Sequence, residues 1–359
     1  MAVLSPFDLL RLRSATVAQG PLSLTWLFAK LKTQNAKPFS ETLKLLPTRN
    51  FFQPRTSFNP ETSPFAFLHQ FPYLEFITKA ITIMRTLTIL LFLAASANLQ
   101  AQPEIPVEQW TGKTILLIGA HPDDDAYSMG TLAMLNENGN EVYIAILTTG
   151  NVGTQDPDLS MVDLAEIRRE EEQAALAALG IPLDHYINLG YDDGMLEYEN
   201  NKDVVRRLVR LIRELKPDVL FSFDPGKGSQ RWHKADHRAS AYLAADAARA
   251  AMWPLLFQGQ ITNEGLEAHT IESYMLFDSA EDDKNTWVDI TGYTDMKIEA
   301  MSKYVSQWSS GWYDYQGPDL SEEEAEQVKE RVSKRIKYKD GKPVEGFRYY
   351  KGLPDNIGR

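Results

Sequence analysis

The chain has 359 residues, 43% of them hydrophobic and 24% charged, a globular composition that excludes a mostly disordered protein. It contains no cysteine, which excludes disulfide frameworks, thiolate metal sites and cysteine nucleophiles; a metal would have to be held by His, Asp or Glu. The net charge of −12 argues against a nucleic-acid partner, but it averages two unlike parts: residues 1–83 carry nine basic and four acidic side chains, residues 102–359 carry 27 and 45.

The join between these parts opens on Met84 and Arg85, runs mainly apolar from Leu87 to Ala97, and continues in small residues with cleavage points after Ala97 or Ala101. This is the layout of a secretory signal peptide, and about eleven apolar residues are too few to span a bilayer, which takes roughly 20. The expectation is that residues 84–101 are a signal peptide with its true start at Met84. Residues 1–83 are then a non-native extension arising from start-codon choice, or a disordered one. Residues 102–359 form one exported domain, periplasmic or secreted, with no stable membrane anchor after cleavage. Nothing in the sequence fixes the oligomeric state.

Within 102–359, Thr114–Ala120 is a continuous apolar run, the pattern of a strand buried on both faces of a parallel sheet. A polar turn, His121–Asp125, leads into a helix reaching about Asn138, and Glu141–Leu147 is a second strand. A loop to Met161 precedes a long helix, about Val162–Leu179, which Gly180 stops. A short strand near Tyr186–Leu189, a helix over about Lys202–Leu215, an apolar strand Asp218–Phe223 and an Ala-rich helix Asp236–Met252 follow. Ser321 and Glu324 form a capping-box pattern for a charged, solvated helix running to about Lys337. Strand and helix alternating at this rhythm predict an α/β fold: a Rossmann-like, mostly parallel sheet with helices on both faces, in a single domain. In such sheets ligands bind beyond the carboxyl ends of the strands. No GxGxxG follows the first strand and no phosphate-binding GxxxxGKS or GxxxxGKT occurs, so the turn points to a metal rather than a nucleotide.

Residues 102–359 hold five histidines, three of which lie beside aspartates after buried strands: His121-Pro-Asp-Asp-Asp125, and His233-Lys-Ala-Asp-His237. Acids and imidazoles converging on one sheet edge repel or desolvate one another unless a cation joins them. Two imidazoles and a carboxylate with an open position make the ligand set of a hydrolytic zinc site. Each pair alone could be a helix cap or a surface turn; both at strand ends favour the metal. His185 and His269 lack acidic partners at motif spacing and read as ordinary strand or loop residues. The two Trp and three Tyr between Tyr304 and Tyr315 suit either core or a wall for stacking a sugar.

At these positions the sequence resembles the PIG-L/LmbE-type zinc-dependent N-deacetylases over about Lys113–Tyr350. Ala120-His-Pro-Asp-Asp-Asp125 is similar to the family's first motif, with Asp125 where Glu is usual. Thr148-Thr-Gly150, the helix of Ile167-Arg-Arg-Glu-Glu171, Leu189-Gly-Tyr-Asp-Asp-Gly194, Asp236-His237-Arg238, Lys297 to Gln307 and Glu345-Gly-Phe-Arg348 resemble the later elements in the same order. The resemblance implies one zinc ion per chain on His121, Asp124 and His237, with Asp123 as general base toward zinc-bound water. It implies a substrate contact for Arg168, whose alternative is an exposed helix charge. Asp236 would orient an imidazole, and Asp193 would line the site or simply form a turn. The family's second motif carries a His three residues before its last ligand. Here that position is Lys234, with His233 one residue earlier, so either could stabilise the oxyanion, and His233 is favoured. The implied activity is removal of an acetyl group from an N-acetylated sugar or sugar conjugate. The alternatives are a zinc amidase or esterase on a non-sugar acyl substrate, or a carbohydrate-binding protein without turnover.

Overall fold

The computed structural model describes residues 102–227 and 234–357, together with Met84. The chain divides into two units, residues 1–89 and 90–359, and the sheet with all its helices belongs to the second. The expected extension and signal segment, apart from Met84, lie outside the described residues, as does His233. No helix among the described residues is long and apolar enough to cross a membrane.

Among the described residues eight strands form one sheet: β1 Thr114–Gly119, β2 Glu141–Thr148, β3 Tyr186–Tyr191, β4 Val219–Phe223, β5 Ser273–Phe277, β6 Thr286–Asp289, β7 Lys337–Lys339 and β8 Lys342–Lys351. Their order is β3-β2-β1-β4-β5-β8-β6, with β7 pairing β8. The first five are parallel, with Thr114 opposite Glu141 and Ile115 opposite Val219. β8 runs antiparallel to β5 and to β6. The helices are α1 Met129–Glu137, α2 Met161–Ala178, α3 Asn201–Leu215, α4 Ala235–Ala251, α5 Thr294–Ser302 and α6 Glu322–Ser333, besides single turns.

Alternate side chains of a strand face opposite ways, and here both faces are covered. Ile115 and Leu117 of β1 pack with Ile144, Ile146, Phe221 and Met275 under α1, α2, α5 and α6. Leu116 and Ile118 pack with Ala145, Leu147, Leu220 and Leu276 under α3 and α4. Each such side chain contributes about 1.5–3 kcal/mol by leaving water. That is why the strands read as unbroken apolar runs rather than alternating ones.

From β1 to α4 the elements match the sequence expectation to within a few residues, while β5, the fifth parallel strand, is not among the expected elements. The C-terminal portion differs. The charged helix stops at Ser333, and Lys337–Lys339 forms β7, which turns into β8 through Asp340 and Gly341, at φ 52° and 78°. An Asp-Gly pair flanked by strands is the two-residue hairpin signal that demands positive φ at both positions. It stands in the sequence at the end of a run of helix formers, which masks it.

Candidate active site

Strand order reverses direction between β1 and β4, and the crevice beyond their carboxyl ends is where an open α/β sheet places its ligand. His121–Asp125 follows β1 directly, and α4, with Asp236 and His237 in its first turn, follows the segment that leaves β4. A cavity of about 960 Å³ opens there, lined among others by His121, Asp123, Asp124, Arg168, Asp193 and His237.

Asp124 is buried. Its Oδ2 accepts hydrogen bonds from the backbone N–H groups of Ala120 and His121, both at 2.7 Å, and its Oδ1 lies 3.3 Å from His237 Nε2. His121 turns Nδ1 toward Asp124 Oδ2 at 3.6 Å and Nε2 toward Asp193 Oδ1 at 2.9 Å and Asp236 Oδ2 at 3.4 Å. The His237 ring stacks on Phe223 with centroids 4.2 Å apart, so the last residue of β4 sets its plane. Burial raises the cost of ionising Asp124, yet the flanking His237 and His121 hold its carboxyl well below the ordinary range. Burial likewise disfavours a charged His121, but its three carboxylate neighbours push it well above the usual imidazole value. The constellation thus carries an excess of negative charge and attracts a cation.

Two sets of side chains among the described residues bring donor atoms within 4.8 Å of one another: His121, Asp124 and His237, and His121, Asp193 and Asp236. The first contains two imidazoles and an acid, the donor set suited to a catalytic divalent metal. In the second, Asp193 and Asp236 face the far nitrogen of His121, as carboxylates do that fix a ligating imidazole. Asp236 therefore orients His121 rather than its neighbour His237. It also holds the Asp193 loop, accepting from Gly194 N at 2.7 Å and Leu196 N at 3.2 Å. Asp193 is positioned in turn by Asn151, whose Oδ1 accepts from its N–H at 2.9 Å.

Asp123, unlike Asp124, has a positive φ. Its φ of 105° puts it in left-handed space, a conformation that costs a non-glycine residue of order 1–3 kcal/mol and that surrounding bonds must enforce. Its N–H donates to Glu172 Oε2 at 3.1 Å, and its Oδ1 lies 3.3 Å from Arg168 Nη2, which also donates to the Pro122 carbonyl. Burial raises the Asp123 carboxyl, with Arg168 pulling the other way. Arg168 is only 2% exposed: it is a clamp beneath the His-Pro-Asp turn that also reaches the cavity wall. The alternative of an exposed helix charge is excluded. Lys234, exposed at the cavity and preceding α4, is the described member of the pair proposed from the second motif.

Some supporting residues escape sequence reasoning. Tyr304 is fully buried and its hydroxyl lies 3.0 Å from Asp125 Oδ1 and 2.9 Å from Glu172 Oε2, which ties the turn to α2. A Tyr in an aromatic run carries no sign of that partner. Of the same run, Trp308 and Trp312 line the cavity while Tyr313 is exposed, so core and wall are both represented. Glu345 of β8 caps α1 from across the sequence, accepting from Gly130 N at 2.9 Å and Thr131 N at 2.8 Å, and pairs with Lys297 at 2.6 Å. His185 bonds to the Val142 carbonyl and His269 to the Pro217 carbonyl, the ordinary roles expected of them.

Glu171, beside this clamp on α2, supplies a pH test. Burial pushes its carboxyl up to about 7, against hydrogen bonds from Ser306 N at 2.6 Å and Ser306 Oγ at 2.7 Å. Its folded-state value exceeds its unfolded one, so its stabilising proton is fully held below about pH 4.5 and lost as pH rises through 7. Glu171→Gln, neutral throughout, should gain roughly 1–3 kcal/mol relative to the parent between pH 5 and pH 8 in urea melts. An equal offset at both pH values contradicts the assignment.

The family profile "PIG-L: GlcNAc-PI de-N-acetylase" matches residues 116–248. The 1D-myo-inositol 2-acetamido-2-deoxy-alpha-D-glucopyranoside deacetylase 1 of Catenulispora acidiphila is 30% identical over 268 residues, 60% of this chain and 83% of that protein. The chain belongs to the PIG-L family. The Catenulispora relative and the two that follow are named deacetylases, hydrolases of amide bonds. The diacetylchitobiose deacetylase of Thermococcus kodakarensis is 29% identical over 209 residues, 58% of this chain and 75% of that one. The solved N,N'-diacetylchitobiose deacetylase of Pyrococcus horikoshii is similar with a TM-score of 0.56 and 26% identity, over 67% of this chain and 84% of that one. The PIG-L match spans β1 to α4, the part of the sheet that builds the His-Asp-His set.

Proposed function

We propose that this PIG-L protein is a zinc-dependent N-deacetylase that releases acetate from an N-acetylated sugar or sugar conjugate. The observation that carries the reading is the Asp123–Asp124 pair at the β1–β4 crevice. One carboxylate is bonded to backbone amides and faces two imidazoles; its neighbour turns away in left-handed backbone toward the open cavity. His121, Asp124 and His237 would hold the metal, which when bound polarises the amide carbonyl and acidifies water.

Asp123 takes the proton from the attacking water as its oxygen adds to the amide carbon. The C–N bond then breaks, and the proton passes to the departing nitrogen, leaving acetate and an amine. Arg168 keeps the Asp123 carboxylate aimed, and Glu172 fixes its backbone. Lys234, or His233 beside it, supplies positive charge to the oxyanion, where such a group is worth several kcal/mol in a water-poor site. Asp193 and Asp236 position His121. Residues 102–359 are the mature enzyme in this reading, exported by the segment beginning at Met84, with residues 1–83 outside the native product.

Metal analysis of the purified chain, paired with acetate release from a panel of N-acetylated sugars, tests the assignment. About one zinc per chain and acetate release are expected. Chelation should lower turnover at least 100-fold, and added zinc should restore it. Zinc without acetate from any sugar would move the substrate to another acyl class, and a chain that takes up no metal would overturn the reading.

A further inference from the structure

The cavity extends well past the proposed metal ligands, along the carboxyl edge of the sheet toward β8. Near the crevice its wall is acidic: Asp123, Asp124, Asp193 and Asp236 against Arg168 and Lys234. Toward β8 the balance reverses. Lys297 and Glu345 neutralise each other there as a buried pair at 2.6 Å. The remaining wall carries Lys284, Lys334, Arg335 and Lys337 against Asp278 and Glu281. A basic lobe in a chain whose residues 102–359 hold 45 acidic and 27 basic side chains is a local arrangement, not a consequence of composition.

Three details make this lobe more than a scatter of surface lysines. The Lys284 side chain is 5% exposed, with Nζ 2.6 Å from Glu281 Oε2. Lys337 Nζ approaches the same carboxylate oxygen at 4.0 Å, so one acid serves two ammonium groups. Burial and the adjacent Lys284 push Lys337 below the ordinary lysine range. Arg335 lies over the Trp308 ring at 4.0 Å, and among the described residues its guanidinium has no side-chain hydrogen bond or ion pair. A guanidinium stacked on an aromatic face leaves its donor edge free for an oxyanion.

We propose that this basic lobe binds an oxyanion carried by the substrate, so that the enzyme acts on an N-acetylated sugar bearing a phosphate, sulfate or carboxylate. The proposal rests on the deacetylase reading above. Topology sets the scale. Lys337 pairs with Val344 of β8, and Lys284 comes two residues before Thr286, which pairs with Phe347 of β8. β8 lies two strands from β4, about 10 Å at 4.8 Å per strand, so the lobe on the segments flanking β8 stands a sugar residue or more from the crevice. The reacting amide would sit over the acidic, metal-holding end and the anion over Lys284, Arg335 and Lys337. That polarity orients the sugar before chemistry and repels the reversed pose.

The test compares acetate release from a neutral N-acetylglucosamine glycoside, N-acetylglucosamine 1-phosphate and an N-acetylated sugar carboxylate, using the full chain. The parent should favour at least one anionic substrate about tenfold or more in kcat/KM at low salt, chiefly through KM, and the advantage should shrink as salt rises. Lys337→Ala and Arg335→Ala, both at exposed positions, should each cut the anionic-to-neutral ratio at least fivefold, and Lys337→Glu further. Phosphate against sugar carboxylate identifies which oxyanion is preferred, and either supports the lobe. No anionic preference in the parent, or a ratio that these variants leave unaltered, overturns the proposal. Calorimetric titration with inorganic phosphate separates the two claims. Phosphate binding that Lys337→Glu weakens, with no acetate from any sugar, upholds the anion lobe and sinks the deacetylase reading. Acetate release from neutral sugars with phosphate binding indifferent to Lys337→Glu does the reverse.

Discussion

Asp123→Asn is expected to keep its metal and lose about 10²–10⁴-fold in kcat on an N-acetylated sugar, the range that a positioned general base contributes. The substitution preserves the shape of the side chain. Its backbone N–H still donates to Glu172, and asparagine is among the residues that best tolerate positive φ. Arg168 loses a charged partner at 3.3 Å but keeps the Pro122 carbonyl, so the turn should survive. What disappears is the ability to accept a proton. His121, Asp124 and His237 are untouched, so metal content by mass spectrometry should stay near the parent value. His121→Ala should lose both metal and turnover. An Asp123→Asn enzyme with parental kcat would remove Asp123 from the base role and turn attention to Asp193, another carboxylate that lines the cavity.

Much of this site is legible because its residues cluster in sequence where the sheet delivers them. Strand β1 announces itself by an unbroken apolar run, and any residue just beyond it must lie at the carboxyl edge. The placement of His121, Asp123 and Asp124 follows from that alone, while their separate roles come from the family resemblance. His237 requires a second strand, β4, which the structure places beside β1 with Ile115 opposite Val219. The residues that escape are those whose partners lie far along the chain. Tyr304 is 179 positions from Asp125 and Glu345 is 215 from Gly130, and no local pattern reports such pairs. Arg168 shows the opposite case. Its position on a charged helix face allows solvent exposure, and only the fold of the His-Pro-Asp turn over α2 makes it a buried clamp. The basic lobe is invisible for a third reason: Lys284, Arg335 and Lys337 come from a loop, a helix end and a hairpin, and the local pattern of charged residues does not separate the last two from one continuous helix.

Arg348→Met should be the most destabilising single change near the site, by about 3–5 kcal/mol, or roughly 10 °C or more in melting temperature for a domain of this size. Arg348 is 3% exposed and Asp224 is fully buried. The guanidinium grips the carboxylate through both oxygens, Nε to Oδ2 at 2.9 Å and Nη2 to Oδ1 at 2.5 Å, while Nη1 donates to the Ile357 carbonyl at 2.8 Å. Asp224 follows β4 directly, and its Oδ1 also accepts from Gly226 N at 2.7 Å, so the pair anchors the segment that runs on to His237. Removing the arginine alone takes the two-point cation away from a fully buried carboxylate, which costs more than the pair itself contributes. Replacing both partners by apolar residues should therefore restore a large part of the loss, and the double-mutant cycle isolates the coupling. The pH dependence has a fixed sign. Burial raises the Asp224 carboxyl, but Arg348 overrides it and holds the group below its ordinary value. Stability from this pair is present above the unfolded carboxylate range and lost as pH falls through the lowered folded value. In Arg348→Met the bonds from Gly226 N and Ser279 still oppose burial but the guanidinium does not, so the folded value rises, and the variant's deficit should grow as pH rises from 5 to 8, where the parent pair shows no such loss. Urea melts at those two pH values decide it, and a variant deficit that does not grow with pH would mean that Asp224 finds another cation.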